Sequence, residues 1–203
     1  MKKIILLSII IMIGMPFVIN LSLTYIYTEI YGDIMLEGAA NVLNIAIDIL
    51  SSLTYILTIG LLINLLLKKS NIGIILYLIS TVLIYGLGLL VTLITSSDLL
   101  QEHFVYIIPA VIADIVVLIA VIFICKLKIN LKKCILYSMI IVTVVGLINN
   151  LLETVMLFNV YGFPSNSTEI LFIAEPYISL IIYGVVGYFT ILLLSNLLNK
   201  SKA

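Results

Sequence analysis

Long runs of isoleucine, leucine and valine, each broken by a short polar cluster, dominate the chain. They predict spans near 4–24, 43–67, 72–95, 105–125, 134–158 and 175–198, each close to the ~20 apolar residues that cross a hydrocarbon core. The runs are continuous and lack the period-two alternation of a barrel strand, and a helix satisfies its own backbone in lipid. The predicted fold is therefore all-α: one polytopic membrane domain over 1–203, a bundle of six transmembrane helices. Lys2 and Lys3 before Ile4–Met15 resemble a signal peptide. However, Pro16–Ile19 prolong the apolar run and no small-residue cleavage site follows, so an uncleaved first span is expected.

Composition agrees with this pattern. Hydrophobic residues make up 64% of the chain and charged residues 10%, and the mean hydropathy is +1.35, which excludes an ordinary water-soluble domain. Ten lysines balance ten acids, with no arginine and no tryptophan, so the formal net charge is zero. Nothing in that balance draws the chain to nucleic acid. The lysines lie at 2, 3, 68, 69, 126, 128, 132, 133, 200 and 202, all in segments that six spans place on one side. By the positive-inside rule that side is cytoplasmic, giving N-in and C-in topology in the plasma membrane.

The opposite connections are acidic, carrying Glu29, Asp33 and Glu37, then Asp98 and Glu102, then Glu169 and Glu175. Tyr25, Tyr27, Tyr31, Tyr106, Tyr161 and Tyr177 lie near the same boundary, where amphipathic rings anchor at headgroups. Residues 25–41 have the makings of a short interfacial helix. The stretch Tyr161-Gly-Phe-Pro-Ser-Asn-Ser-Thr is the candidate lid or gate, and Asn166-Ser167-Thr168 is a formal glycosylation sequon. Cys125 and Cys134 flank a lysine-rich connection without Cys-x-x-Cys spacing, which predicts packing thiols and neither a redox dithiol nor a zinc site. Ile75-Leu76-Tyr77 recurs 60 residues later as Ile135-Leu136-Tyr137, with Val82 and Gly86-Leu87 repeated as Val142 and Gly146-Leu147. The repeat is either a duplicated hairpin, as in parallel-repeat transporters, or coincidence in a chain so rich in isoleucine and leucine.

Three acids fall inside predicted spans: Asp48, Asp114 and Glu153. An ionised side chain there costs about 2.5–3.5 kcal/mol on insertion scales. Helix rise places Asp48 and Glu153 near the outer boundary and Asp114, about 18 Å from both Glu102 and Lys126, near the midplane. Every lysine is assigned to the other face, so the sequence supplies Asp114 with no basic partner. Protonation, or a cation or water from outside, is its remaining stabiliser. Asn41, Asn44, Asp48, Ser51, Ser52 and Tyr55 form a helical stripe, as do Gly146, Asn149, Asn150 and Glu153. With Glu175 and Pro176, these groups predict an outward-facing, oxygen-rich cavity suited to a small cationic or polar solute. The competing expectation is that the polar groups only hydrogen-bond helices together, at about 0.6 kcal/mol each. Gly60, Gly86-x-Gly88 and Gly184-x-x-Gly187 are expected to allow close helix contact.

His103 is the only histidine and lies in a loop, which leaves no histidine for a Ser-His-Asp triad or a metal centre within the spans. There is no nucleophile elbow, no zinc-protease helix, no P-loop and no arginine clamp for phosphate. The expected protein is not an enzyme and holds no cofactor or metal. Its expected partners are the bilayer and either a small solute or another membrane subunit, the latter in an interaction, immunity or regulatory role. The short N-terminus, acidic outer loop, Leu65-Leu66-Leu67-Lys68-Lys69 and Gly146-Leu147-Ile148-Asn149-Asn150 together resemble an uncharacterised bacterial family of small six-span membrane proteins. That resemblance covers the layout of most of the chain and implies architecture alone; the arginines expected there are missing. Size and topology are also similar to the substrate-binding subunits of energy-coupling-factor vitamin transporters, whose ligand sites face outward. The small-residue motif expected on their first helix is not evident in Ile4–Leu23.

Overall fold

The computed structural model describes residues 53–95, 100–164 and 167–200. The first predicted span, the interfacial helix at 25–41 and the start of the second span with Asp48 lie outside the described residues. Those described form five helices: α1 (Leu53–Leu67), α2 (Ile72–Thr95), α3 (Leu100–Lys126), α4 (Leu131–Tyr161) and α5 (Ser167–Lys200). The chain divides into two compact units, Met1–Phe104 and Val105–Ala203.

In the first unit, α1 is buried on almost every face, from Thr54 and Ile56 to Ile59, Leu62, Ile63 and Leu65. It ends in a Schellman turn: Ser70 N–H donates to Leu65 O at 2.9 Å and Lys69 N–H to Leu66 O at 2.8 Å, satisfying carbonyls that the helix end leaves open. Lys69 takes φ 59°, the left-handed conformation that glycine usually supplies. The turn brings Gly73 of α2 against Leu65, where a Cβ would lie 3.0 Å from the leucine's own Cβ. Leu65 and Leu76 form the buried contact between the two helices, with Leu61 beside them.

The second unit holds most of α3 with α4 and α5, and α4 packs along α5. Asn130 caps α4, its side chain accepting from Lys133 N–H at 2.9 Å, which satisfies one of the free donors of the first turn. Gly162 ends α4 at φ 84° and donates its N–H to Phe158 O at 3.0 Å. Lys126 lies in the last turn of α3, where a cation complements the helix dipole.

Three stretches are long and apolar enough to cross a membrane: Ile107–Lys126, Leu131–Met156 and Pro176–Leu197, with Leu53–Leu67 and Ile72–Leu87 as shorter apolar helices. Most residues of each long stretch are uncovered by protein. On α3 the exposed Ile108, Ile112, Ile115, Ile119 and Phe123 recur every three or four residues, forming one continuous apolar stripe. Such a stripe is an aggregation liability in water and an ordinary lipid-facing surface in hydrocarbon. The chain is a membrane protein with several apolar helices.

Four of the predicted spans can be compared over most of their length. The helix predicted at 72–95 has those bounds. The other three helices run past the predicted spans, since α3 begins five residues before 105, α4 extends three residues beyond 134–158 at each end, and α5 begins eight residues before 175; the apolar stretches within them, Ile107–Lys126, Leu131–Met156 and Pro176–Leu197, stay within three residues of those spans. Pro176, read as the start of a helix, lies inside α5. The candidate lid is correspondingly shorter: Tyr161 ends α4 while Ser167 and Thr168 open α5, leaving five connecting residues of which Ser165 and Asn166 are not described. Hydropathy marks where lipid stops, and a helix whose polar turns are solvated need not stop there.

The 60-residue repeat does not mark equivalent positions. Leu76 and Tyr77 are 6% and 2% exposed, whereas Leu136 and Tyr137 are 40% and 42% exposed. Ile75 is 56% exposed and Ile135 fully buried. The matching residues face opposite environments, so coincidence accounts for the match better than duplication does.

Candidate functional site

Packing is uneven along the helices. Among the described side chains, α2 buries Leu76, Tyr77 and Ser80, α3 buries Val117, Leu118, Val121 and Ile124, α4 buries Cys134, Ile135, Ser138 and Met139, and α5 buries Ile191 and Ser195. In α3, α4 and α5 this is the end that carries lysines, and in α2 it is the end that follows Lys68 and Lys69. Toward the acid-bearing ends of α3, α4 and α5 the described residues are half-buried or exposed, and there the polar positions of the second unit collect.

Glu153 is half-buried on α4 and accepts a hydrogen bond from Asn149 Nδ2 through Oε1 at 2.7 Å. The four-residue spacing puts both on one helix face, as the stripe predicted. In this pairing the amide presents its nitrogen to the carboxyl group. It leaves Asn149 Oδ1 buried without a hydrogen-bond partner. At the next residue, Thr154 Oγ1 lies 2.8 Å from Asn150 O and 2.8 Å from Tyr177 OH of α5. The threonine has one proton and gives it to the carbonyl, so the tyrosine donates across the interface. The sequence marks Tyr177 only as a headgroup anchor and does not single out Thr154, because their bond is tertiary. The available signal was Thr154 directly after Glu153, on the turn that presents Asn150.

The remaining predicted residues do not join this cluster. Asp114 is half-buried on α3 and is itself engaged in an interaction. Counting from the contact between Cys125 and Cys134, Asp114 is about 16 Å of helix rise away and Glu153 about 28 Å, so the two carboxylates lie at different depths. Glu175 occupies the position before Pro176 within α5, and its side chain is not described. Asn41, Asn44, Asp48, Ser51 and Ser52 lie outside the described residues. On α1 the buried polar positions are Thr54, Thr58 and Asn64, and Asn64 Nδ2 donates to Gly60 O at 2.9 Å. Among the described residues, no three His, Cys, Asp or Glu side chains come together.

Two glycines of the second unit serve close packing. A Cβ on Gly184 of α5 would overlap Thr143 Oγ1 of α4, and one on Gly146 of α4 would come within 2.8 Å of Leu180. Gly86 differs from the expectation, since a Cβ there would meet nothing within 4 Å. Beside the Gly184–Thr143 contact runs a groove of about 280 Å³ between Leu136, Ile140 and Val144 of α4 and Ile181, Val185 and Tyr188 of α5. Its lining is almost wholly apolar, so it suits hydrocarbon and offers a cation nothing.

No protein-family model, curated protein or solved structure matches the chain. Its function must therefore be argued from its own residues.

Proposed function

We propose that the protein is a non-enzymatic, multi-pass protein of the plasma membrane that binds or passes a small cationic or hydrogen-bond-donating solute. The supporting observation is the pairing of Glu153 with Asn149, which leaves Asn149 Oδ1 buried and unpartnered beside a carboxylate. An orphaned acceptor next to a negative charge costs free energy that a cation or an N–H donor would recover. Glu153, Asn149 and Asn150 then form the outer station. Asp114, deeper in the membrane, is the protonatable centre.

The test uses vesicles reconstituted with the full chain, measuring binding and uptake of sodium, potassium, magnesium and tetramethylammonium across pH. Glu153→Gln and Asp114→Asn are each expected to weaken the transported ion by at least about tenfold, the worth of one hydrogen bond to a charged group. Asp114→Asn should also flatten the pH dependence. Unchanged profiles in both variants would sink the reading. The N-in and C-in topology belongs to the same proposal. In a background without native cysteines, Phe163→Cys should react with a membrane-impermeant maleimide on intact cells and Lys128→Cys should not; the reverse pattern inverts the topology.

A second reading, a membrane interaction or regulatory protein, is favoured by the Thr154–Tyr177 bond and the Gly184–Thr143 contact, which use polar and small residues to join helices. Co-purification of a stable partner, with activity surviving neutralisation of Asp48, Asp114 and Glu153, would support it instead.

A further inference from the structure

We propose that Cys125 and Cys134 form a thiol–disulfide site, oxidised by a low-molecular-weight disulfide into a staple between α3 and α4. Both cysteines are free. Their spacing of nine residues fits no redox motif, yet the short connection after Lys126 turns the chain back and brings the sulfurs to 3.6 Å. A disulfide needs about 2.05 Å, so the sulfurs must approach by about 1.5 Å to close the bond.

Exposure gives the two thiols different roles. Cys125 is half-buried, and so the better exposed of the two, while Cys134 is fully buried. Lys126, Lys128, Lys132 and Lys133 surround the pair in sequence, and all four are exposed. Their charge draws in an anionic disulfide such as oxidised glutathione. In the first step the Cys125 thiolate attacks one glutathione sulfur. The glutathione S–S bond breaks, one glutathione leaves as its thiolate, and a mixed disulfide remains on Cys125. Cys134 then gives up its proton and attacks Cys125 Sγ, expelling the second glutathione. Overall, two cysteine thiols are oxidised to one disulfide, one glutathione disulfide is reduced to two thiols, and the two cysteine protons end on the two glutathiones.

The experiment treats the full chain, in lipid nanodiscs, with mixtures of oxidised and reduced glutathione, quenches with acid, and counts thiols by maleimide labelling after denaturation alongside intact mass. Wild type should lose both thiols together within one chain and retain no glutathione. Cys134→Ser should accumulate one glutathione on Cys125, and Cys125→Ser should keep its buried Cys134 thiol. The proposal is overturned if wild type keeps a stable glutathione adduct or two free thiols under conditions that modify Cys134→Ser. It is equally overturned if the disulfides formed link separate chains, or if Cys134 is modified as readily as Cys125.

Discussion

Replacing Gly184 with alanine is expected to destabilise the protein by about 1–3 kcal/mol, the usual cost of overpacking a tight contact. The same substitution in a Thr143→Ala background should cost almost nothing. Alone, glycine to alanine in a helix interior is favourable by roughly 0.5–1 kcal/mol, so a loss isolates the contact. A Cβ on Gly184 would overlap Thr143 Oγ1, whereas Thr143 Cβ and Cγ2 lie at 3.4 and 3.5 Å, ordinary van der Waals separation. The obstruction is one oxygen atom. It cannot rotate away freely, because Thr143 Oγ1 donates to Met139 O at 2.9 Å. Deleting it removes both the clash and the bond that holds it. Thermal unfolding of the four proteins in one detergent gives the double-mutant cycle. Additive effects would mean that α4 and α5 do not meet at this pair.

Most of the helical layout was legible in the sequence, and the parts that were not share a cause. Apolar runs located α2 to α5 because lipid selects composition residue by residue. They do not reach the first turns of α3 and α5, because Gln101, Glu102 and His103, or Ser167, Thr168 and Glu169, are good residues for a helix start outside the apolar run. The Asn149–Glu153 pair was legible because both members lie on one helix at a spacing that fixes their contact. Tyr177 with Thr154, and Cys125 with Cys134, were not, since their meeting depends on how separate helices pack. Asp114 was legible as a deep acid, but its isolation was inferred from the placement of lysines, and the structure has it engaged.

The repeated Ile-Leu-Tyr triplet permits a reciprocal test in which identical substitutions have opposite outcomes. At the first copy, Leu76→Ala is expected to cost about 2–4 kcal/mol and Ile75→Ala well under 1 kcal/mol; at the second, Ile135→Ala carries the large cost and Leu136→Ala the small one. The reason is environment alone. Leu76 is 6% exposed and packs on Leu65, and Ile135 is fully buried, so truncation leaves a cavity that protein must fill or tolerate. Ile75 and Leu136 are 56% and 40% exposed, and a lipid chain fills the space a lost methyl leaves. In a membrane, apolar surface facing lipid gains little from hydrophobic burial, so lost packing contacts make the difference. Unfolding midpoints of the four variants in one lipid or detergent decide it. Matching costs at matching motif positions would restore the duplicated hairpin. The crossed pattern would mean that helices of nearly uniform apolar composition are oriented by which side chains interlock, a property that hydropathy does not encode.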